Sequence, residues 1–377
     1  MRFLFLLSTL IFISHYSLAI DTKAEHAIVV DYNTNEILFE KNADMKIEPA
    51  SMTKIMTVYA AFDRIENSNL SLNDTCVVSP KAYKKGGSRT FLEIDDNVSI
   101  DDLLKGIIVQ SGNDASITLA ECLAGTEEDF AKLMNNYSQN LGLTNTNFTN
   151  SSGWPEEGHY STVKDLSILS NALIRDFNNL YNYFKLEEFT YNEITQPNRN
   201  KLLFKFNGAD GIKTGYTKKS GWGISASAFK NNRRITVVIN GTNSSRSRLN
   251  ESSLLLNWAF NQTSQKKLLS KGQVIKNVDI WLGNKPTLNL IVKDDVFSIL
   301  SFDQIQFIKS SISYNKPLNA PIKKGDELGK IEISISGKNT LIVPLIAEND
   351  IKEINPIFKL FAAIKYLIFG TSLDEAK

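Results

Sequence analysis

Two predicted strand hairpins bracket a long helical stretch, and this order constrains the fold more than any other feature of the chain. Residues 27–42 form two apolar runs around an Asn-Thr-Asn turn, and residues 221–242 repeat the pattern around an Asn-Asn turn. Between them, residues 101–142 and 161–177 place apolar side chains at helical spacing. One sheet should therefore take its strands from both ends of this region, which is an α/β (α+β) arrangement with antiparallel pairing.

The chain changes character after a polar segment at residues 261–271. Residues 272–348 contain short alternating runs separated by turn residues, which is typical of a small all-β domain. Because 377 residues exceed one typical core, we predict two domains, residues 20–264 and residues 265–350. The second contains no cluster of catalytic residue types, so we expect it to be a spacer.

Both ends of the chain carry apolar segments shorter than the roughly 20 residues of a membrane span. Residues 1–19 have a basic start, an apolar run and a small-residue ending, which predicts a secretory signal peptide cut after Ala19. Residues 355–371 predict a helix with one apolar, aromatic side. We interpret this helix as an in-plane membrane anchor, the alternative being a terminal helix docked on the protein's own core.

Composition excludes several classes of function. The net charge of +1 gives no basic field for nucleic acid, so no nucleic-acid partner is expected. Of three histidines, His15 leaves with the predicted signal peptide, and the other two with two distant cysteines do not make a zinc site, so we predict no metal and no cofactor. Cys122 lies in an apolar helical pattern, so Cys76 and Cys122 are expected to be two buried thiols rather than a disulfide.

Ser51 and Lys54, in PASMTKIMT, are neighbours on one helical face. A serine hydroxyl needs a base, and a lysine serves only when desolvation or nearby cations lower its pKa. The apolar neighbours of Lys54 favour desolvation. Four other S-x-x-K matches occur, so this motif alone is weak; they begin at Ser161, Ser227, Ser264 and Ser313.

Two further short motifs follow. Ser111 and Asn113, in VQSGNDAS, stand at a predicted helix start, where the alternative interpretation is simple N-capping. Lys213, Thr214 and Gly215, in DGIKTGYT, open the second strand region. A lysine and a hydroxyl on a strand edge suit an extended anionic peptide, and the alternative is an exposed turn.

The three motifs, S-x-x-K, S-x-N and K-T-G, occur in this order and each at an element boundary, as in the active-serine penicillin-binding proteins and β-lactamases. With GGSRTFLE, HYSTVKDL and NRNKLL, the chain resembles over nearly its whole length the low-molecular-mass (class C) penicillin-binding proteins that are D-alanyl-D-alanine carboxypeptidases. The resemblance implies a five-stranded antiparallel sheet flanked by helices, with the active site at one sheet edge. It also implies peptidoglycan stem peptides as substrate, β-lactams as inhibitors, and a peripheral location on the periplasmic face of the bacterial inner membrane.

The resemblance assigns roles to individual residues. It implies that Ser51 is the acylated nucleophile and that Lys54 takes its proton. Ser111 relays a proton towards the leaving D-alanine, and Asn113 holds the substrate amide. The backbone N–H groups of Ser51 and Tyr216 form the oxyanion hole. Tyr216 departs from the histidine of several members, which could change the pH dependence.

The resemblance also implies an anion-binding set. Lys213, Thr214 and Gly215 bind the peptide and its terminal carboxylate, helped by Arg248 and more weakly by Arg199. For either arginine, the alternative is pairing with an aspartate or glutamate.

His159 matches a family position and is given a supporting role only. With so few histidines, the sequence does not predict a catalytic serine–histidine pair.

The predicted function is removal of the terminal D-alanine from pentapeptide stems, which controls cross-linking. One alternative is a β-lactamase, which needs a deacylating glutamate in an E-x-x-L-N pattern; residues 188–192, EFTYN, lack the leucine. The other alternative is a non-catalytic envelope scaffold.

Overall fold

The computed structural model describes the chain from residue 20, and the predicted signal peptide, residues 1–19, lies outside the described residues. The described ranges are residues 20–68, 70–300, 302–305, 307–336, 338–360 and 364. They divide into two compact units, one of residues 20–30 and 37–258 and one of residues 31–36 and 259 onwards.

The first unit alternates short strands with helices. Its strands are β1 (His26–Asp31), β2 (Ile37–Lys41), β3 (Thr75–Val77), β4 (Asn97–Ser99), β5 (Glu188–Tyr191), β6 (Ile194–Pro197), β7 (Ala209–Thr217), β8 (Gly221–Lys230) and β9 (Arg233–Thr242). Its helices are α1 (Lys54–Asn67), α2 (Pro80–Lys84), α3 (Ile100–Lys105), α4 (Asn113–Ala124), α5 (Glu127–Asn140), α6 (Val163–Asp176), α7 (Leu202–Lys205) and α8 (Ser245–Gln262), the last of which continues into the second unit.

The predicted five-stranded antiparallel sheet is confirmed. Its strand order is β2-β1-β9-β8-β7, so strands from the two ends of the region pair in the centre and β7 forms one edge. The β8–β9 turn places Asn231 and Asn232 at φ of 51° and 59°, in the left-handed region that asparagine tolerates. Asn35 in the first hairpin has a φ of 55° for the same reason. These asparagine turns therefore set the pairing of β1 with β2 and of β8 with β9, as the sequence predicts.

Helices α1 and α6 carry the core beside this sheet. Every residue of α1 from Lys54 to Phe62 is buried, and α6 packs against β8 and β9. Helix α4 packs against α1, α2, α3 and α5. As a result, the first residues of α1 and α4 are held close to the β7 edge by the same core.

The expectation of two buried thiols is wrong, because Cys76 and Cys122 form a disulfide with Cα atoms 5.6 Å apart. Cys76 is buried on β3, whereas Cys122 is exposed on α4. The apolar pattern around Cys122 misled the prediction, since this face of α4 lies at the surface beside β3. The bridge ties the helix that begins at Asn113 to the β3–β4 hairpin.

Replacing both cysteines with alanine is expected to lower the free energy of unfolding by about 4 kcal/mol, because the bridge closes a loop over a sequence separation of 46 residues. Denaturant unfolding of the oxidised protein and of the double variant measures this difference. The wild type in reductant is the control and should match the variant. Equal stability of all three would contradict a stabilising role.

The second unit is all-β apart from one short helix, α9 (Phe302–Ile305), as predicted for this part of the chain. Its strands are β10 (Ser264–Leu269), β11 (Val274–Trp281), β12 (Thr287–Val292), β13 (Val296–Leu300), β14 (Lys309–Tyr314), β15 (Leu318–Asn319), β16 (Glu327–Ser334) and β17 (Leu341–Ala347). Six of them form a sheet in the order β14-β16-β17-β12-β11-β15, and β10 pairs with β13. The alternating pattern places Leu290, Ile331 and Leu345 in one core.

The predicted terminal helix, residues 355–371, is only partly within the described residues. A helix begins at Pro356, where the Asn355 side chain accepts a hydrogen bond from the Ile357 N–H at 3.1 Å. Residues 361–363 and 365–371 lie outside the described residues. Over the ranges given above, no helix has the length and apolar character that crossing a membrane requires.

Candidate active site

The three motifs meet at one cleft of about 1110 Å³ in the first unit. Ser51, Ser111, Asn113 and Thr214 line it, together with Arg248 from α8. The cleft runs along the β7 edge of the sheet. Four cationic side chains line it, and no carboxylate does so within the described part of the chain; the cations are Arg199, Lys201, Lys218 and Arg248.

Ser51 lies in a 3-10 turn, Ala50–Thr53, and not in the first α-helical turn as the spacing predicts. Ala50 has a φ of 51°, which is uncommon for a residue with a Cβ. Two glycines close on this turn. A Cβ on Gly153 would lie 1.8 Å from the Ala50 carbonyl oxygen, and one on Gly215 would lie 2.9 Å from the Pro49 carbonyl oxygen. Glycine at these positions therefore lets the turn pack against the loop that contains Gly153 and against β7, which contains Gly215.

Lys54, the first residue of α1, is fully buried, and its Nζ lies 3.2 Å from the Ser51 Oγ. Nζ also donates to the Asn113 Oδ1 at 2.7 Å and to the Ser152 carbonyl oxygen at 2.6 Å. These two oxygens can only accept. In the neutral amine they take both hydrogens, so the lone pair is left to face the Ser51 hydroxyl. That is the geometry a general base requires.

Burial lowers the pKa of Lys54 from its usual value to about 7. The nearby carboxylates of Asp114 and Glu127 oppose this shift, and the cation of Lys85 adds to it. A substantial fraction of Lys54 is consequently neutral at physiological pH. The sequence indicated only that apolar neighbours favour desolvation of this lysine.

Acylation of Ser51 is expected to rise with pH through a midpoint near the Lys54 pKa of about 7, because only the neutral amine accepts a proton. Below this midpoint the rate constant should fall about tenfold per pH unit. Stopped-flow acylation with a fluorescent penicillin from pH 5 to 9 measures the curve. A rate constant that does not change between pH 5 and pH 8 would exclude Lys54 as the base.

Ser111 and Asn113 do not cap a helix, so the simple capping interpretation is not what the structure shows. Ser111 follows a π-helical turn, Gly106–Gln110, and has a φ of 64°. Its Oγ is buried without a hydrogen-bond partner, although the residue lines the cleft. Asn113 begins α4 and uses its side chain to accept from Lys54 and to donate to the Gly86 carbonyl oxygen at 2.8 Å. Asn113 therefore holds the lysine at least as directly as it could hold a substrate amide.

Lys213 and Thr214 are buried within β7, so they do not form an exposed turn. The Lys213 Nζ has one long hydrogen bond, 3.5 Å to the Thr214 carbonyl oxygen. Burial lowers the pKa of Lys213 well below its usual value, and the cations of Lys54, Arg248 and Arg199 lower it further. A cluster of this kind attracts an anionic ligand.

Arg248 and Arg199 have no carboxylate within 4.0 Å among the residues of the described ranges, so the alternative of an ion pair is not observed. Arg248 is buried, its guanidinium lies 5.2 Å from the centre of the Trp222 ring, and burial lowers its pKa to about 10. Arg199 is exposed, and its backbone N–H donates to the Val109 carbonyl oxygen at 3.2 Å. Both side chains line the cleft.

His159 is buried behind the cleft and is not a base for Ser51. The backbone N–H of Thr149 donates to its Nδ1 at 3.0 Å, so the ring hydrogen is on Nε2 and bonds the Thr53 Oγ1 at 2.8 Å. Burial lowers the pKa of His159 to about 4. The neutral ring therefore holds Thr53, the residue directly before Lys54.

No motif in the sequence pointed to the loop of residues 150–154, NSSGW, which contributes to the site. The Asn150 Oδ1 accepts hydrogen bonds from the backbone N–H groups of Ser152, Gly153 and Trp154 at 3.2, 2.8 and 3.0 Å. This fold of the loop presents the Ser152 carbonyl oxygen to Lys54. An asparagine followed by small residues is a turn signal, and it could have drawn attention to this loop.

A serine beside a buried lysine, with S-x-N and K-T-G residues at the edge of a five-stranded antiparallel sheet, defines the class of active-serine penicillin-binding proteins and β-lactamases. The family model described as D-alanyl-D-alanine carboxypeptidase, peptidase S11, matches residues 14–243. The model of the C-terminal domain of penicillin-binding protein 5 matches residues 264–353. The chain belongs to the peptidase S11 family of D-alanyl-D-alanine carboxypeptidases.

Individual relatives agree with this assignment. The chain is 38% identical to the D-alanyl-D-alanine carboxypeptidase DacC of Escherichia coli K12, over 93% of this chain and 90% of that protein. The structure of penicillin-binding protein 5 from Haemophilus influenzae is 34% identical with a TM-score of 0.78, and the match covers 89% of this chain and 99% of that one. Penicillin-binding protein D2 from Listeria monocytogenes, in its cefotaxime-bound form, is 27% identical with a TM-score of 0.60, over 64% and 99% of the two chains. The predicted family is confirmed.

Proposed function

We propose that this chain is a serine-type carboxypeptidase that removes the terminal D-alanine from peptidoglycan pentapeptide stems, and so limits cross-linking. The observation that carries the proposal is the buried Lys54 amine, 3.2 Å from the Ser51 Oγ with both of its hydrogens engaged elsewhere. The family membership supplies the substrate class.

The reaction proceeds through an acyl-enzyme. The Ser51 Oγ attacks the carbonyl carbon of the penultimate D-alanine while Lys54 takes the hydroxyl proton. The backbone N–H groups of Ser51 and Tyr216 stabilise the oxyanion. The C–N bond then breaks, and the leaving amine receives the proton from Lys54 through the Ser111 hydroxyl. Water finally hydrolyses the Ser51 ester and releases the shortened peptide.

The cations of the cleft hold the terminal carboxylate of the substrate. Arg248 supplies charge from the cleft wall, and the Thr214 hydroxyl supplies a neutral hydrogen bond. Lys213, buried beside Thr214 on β7, adds its charge when the bound anion favours the protonated amine. The absence of carboxylates from the described lining of the cleft supports this role, because nothing there competes for the cations. Arg199 adds charge at the exposed side.

The test is release of the C-terminal residue from a synthetic peptide ending in D-Ala-D-Ala, measured as D-alanine, with the same peptide amidated at its C-terminus as control, measured as D-alaninamide. We expect release from the free acid and about 100-fold less from the amide, since a charge-assisted contact contributes roughly 2–3 kcal/mol. Equal release from both peptides would contradict the carboxylate site. No release from either would overturn the proposed function and favour the scaffold.

The β-lactamase alternative predicts rapid turnover of penicillin. Its candidate glutamate, Glu188, is exposed on β5 and does not line the cleft. We therefore expect a penicilloyl adduct that outlasts many D-alanine turnovers.

We further propose that the chain acts at the periplasmic face of the bacterial inner membrane. The predicted signal peptide and the terminal helix support this location. Where the helix is described, Ile357, Phe358 and Leu360 are more than 60% exposed, which leaves an apolar surface without cover from the described residues.

Deletion of residues 355–377 is expected to abolish binding to anionic phospholipid vesicles and to leave D-alanine release unchanged. Vesicle sedimentation of the full chain and of the truncated chain measures the difference. A full-length chain that stays in the supernatant would favour a helix docked on the protein itself.

A further inference from the structure

Two buried carboxylates stand behind Lys54, outside the three motifs and outside the cleft lining. Asp114 is fully buried and Glu127 is 5% exposed. Charged side chains are almost never buried without a partner. Asp114 binds a loop that holds Asn113, and Glu127 binds the loop that presents the Ser152 carbonyl oxygen to Lys54.

Asp114 controls the first of the two oxygens that accept from Lys54. It directly follows Asn113, and its carboxylate accepts backbone N–H groups of Thr90, Phe91 and Leu92 at 2.9, 3.0 and 3.3 Å. The same loop binds Asn113, whose backbone N–H donates to the Ser88 carbonyl oxygen at 2.8 Å and whose side chain donates to that of Gly86. Asp114 thereby fixes the loop that orients the Asn113 Oδ1.

Glu127 controls the second oxygen. Its Oε1 accepts the backbone N–H of Ser151 at 3.1 Å and the Ser151 hydroxyl at 2.7 Å. The next residue, Ser152, presents its carbonyl oxygen to Lys54. The other oxygen of Glu127 lies 3.0 Å from the Lys81 Nζ, so the carboxylate is held from both sides.

We propose that Asp114 and Glu127 are positioning residues of the reaction, each fixing from outside the cleft one of the two oxygens that direct the Lys54 amine at Ser51. This inference rests on the proposed function. It adds two residues that neither touch substrate nor belong to a motif, and whose removal changes the proton affinity of the base.

The charge on these residues gives the proposal a readout that packing alone would not. Both carboxylates favour the protonated form of Lys54, so removing either charge should ease loss of the proton. The charged groups that face Lys54 from every element around it are Asp114 on α4, Glu127 on α5, Lys85 after α2, Lys213 on β7 and His159 before α6. Of these, only the two carboxylates on α4 and α5 raise its pKa.

The experiment measures acylation by a fluorescent penicillin from pH 5 to 9 for wild type, Glu127→Gln and Asp114→Asn. Glu127→Gln keeps an oxygen that can accept from Ser151 and loses the charge. We expect its acidic midpoint to move down by roughly 0.5 pH unit or more, with a several-fold lower plateau as the loop loosens. Asp114→Asn should shift the midpoint at least as far.

Glu128→Gln is the matched control. Glu128 is the neighbouring glutamate, lies 3.0 Å from the same Lys81 Nζ and is 71% exposed, whereas the recorded Ser151 side-chain and N–H bonds go to Glu127. Its profile should superimpose on that of wild type. If Asp114→Asn fails to fold, the comparison of Glu127→Gln with Glu128→Gln still tests the positioning role.

The outcomes distinguish failure of the positioning role from failure of the proposed function. A lower plateau with an unmoved midpoint, or an equal shift in Glu128→Gln, overturns the positioning role and leaves the proposed function intact. A wild type that no penicillin acylates at any pH overturns the proposed function and the inference with it.

Discussion

Replacing Ser51 with alanine is expected to abolish D-alanine release, with a loss of about 10⁶-fold in kcat. No other described hydroxyl lies within hydrogen-bond distance of the Lys54 Nζ, so no substitute nucleophile stands at the base. The fold should persist, because the only described hydrogen bond of the Ser51 hydroxyl is the one from Lys54. D-alanine release and thermal unfolding are measured on the same preparation.

Ser313→Ala is the matched control for this variant. Ser313 begins another S-x-x-K sequence, ending at Lys316, but lies exposed on β14 in the second unit. Its loss should leave release unchanged. Release by the Ser51→Ala enzyme at more than about a hundredth of the wild-type rate would mean that another residue attacks the substrate.

Replacing Lys54 with glutamine is expected to lower the acylation rate constant by about 10³–10⁴-fold at every pH from 5 to 9. The glutamine amide keeps two N–H donors on the side of the Asn113 Oδ1 and the Ser152 carbonyl oxygen, one bond nearer the backbone than the lysine Nζ. It has no basic lone pair for the Ser51 proton. The pH dependence seen in wild type should therefore disappear along with the rate.

The corresponding control is Lys316→Gln, which removes the lysine of the second S-x-x-K sequence. It should acylate like wild type. Recovery of the Lys54→Gln enzyme at alkaline pH would contradict the assignment, since it would show that some other group supplies the base.

The sheet was predictable because its determinants are local. Alternation marks β8 and β9, and two asparagines at positive φ fix the turn between them. The order of the hairpins along the chain then leaves few ways to close one sheet. Strand β10 of the second unit was missed because it lies in the polar segment at residues 261–271, and its place depends on pairing with β13, which is distant in sequence.

The candidate site was predictable where a motif keeps its members close in sequence. Ser51 and Lys54 are three residues apart, so their side chains are neighbours in a 3-10 turn as they would be in an α-helix. The Lys54 Nζ lies 3.2 Å from the Ser51 Oγ. The Ser152 carbonyl and the Glu127 carboxylate could not be found in this way. Their roles depend on a backbone oxygen and on a contact across 24 residues, which no side-chain spacing encodes.

The disulfide shows the same limit. The sequence spacing of Cys76 and Cys122 does not predict whether they form a disulfide. The apolar neighbours of Cys122 favoured the interpretation of a buried thiol. Only the packing of α4 beside β3 brings the two Cα atoms to 5.6 Å.

Mass spectrometry of the intact chain after incubation with benzylpenicillin, followed by peptide mapping, tests the central claim most directly. We predict one penicilloyl group per chain, carried by the peptide that contains Ser51, with no adduct in the Ser51→Ala variant. An adduct on any other serine, or a chain that stays unmodified while D-alanine release proceeds, would contradict the mechanism.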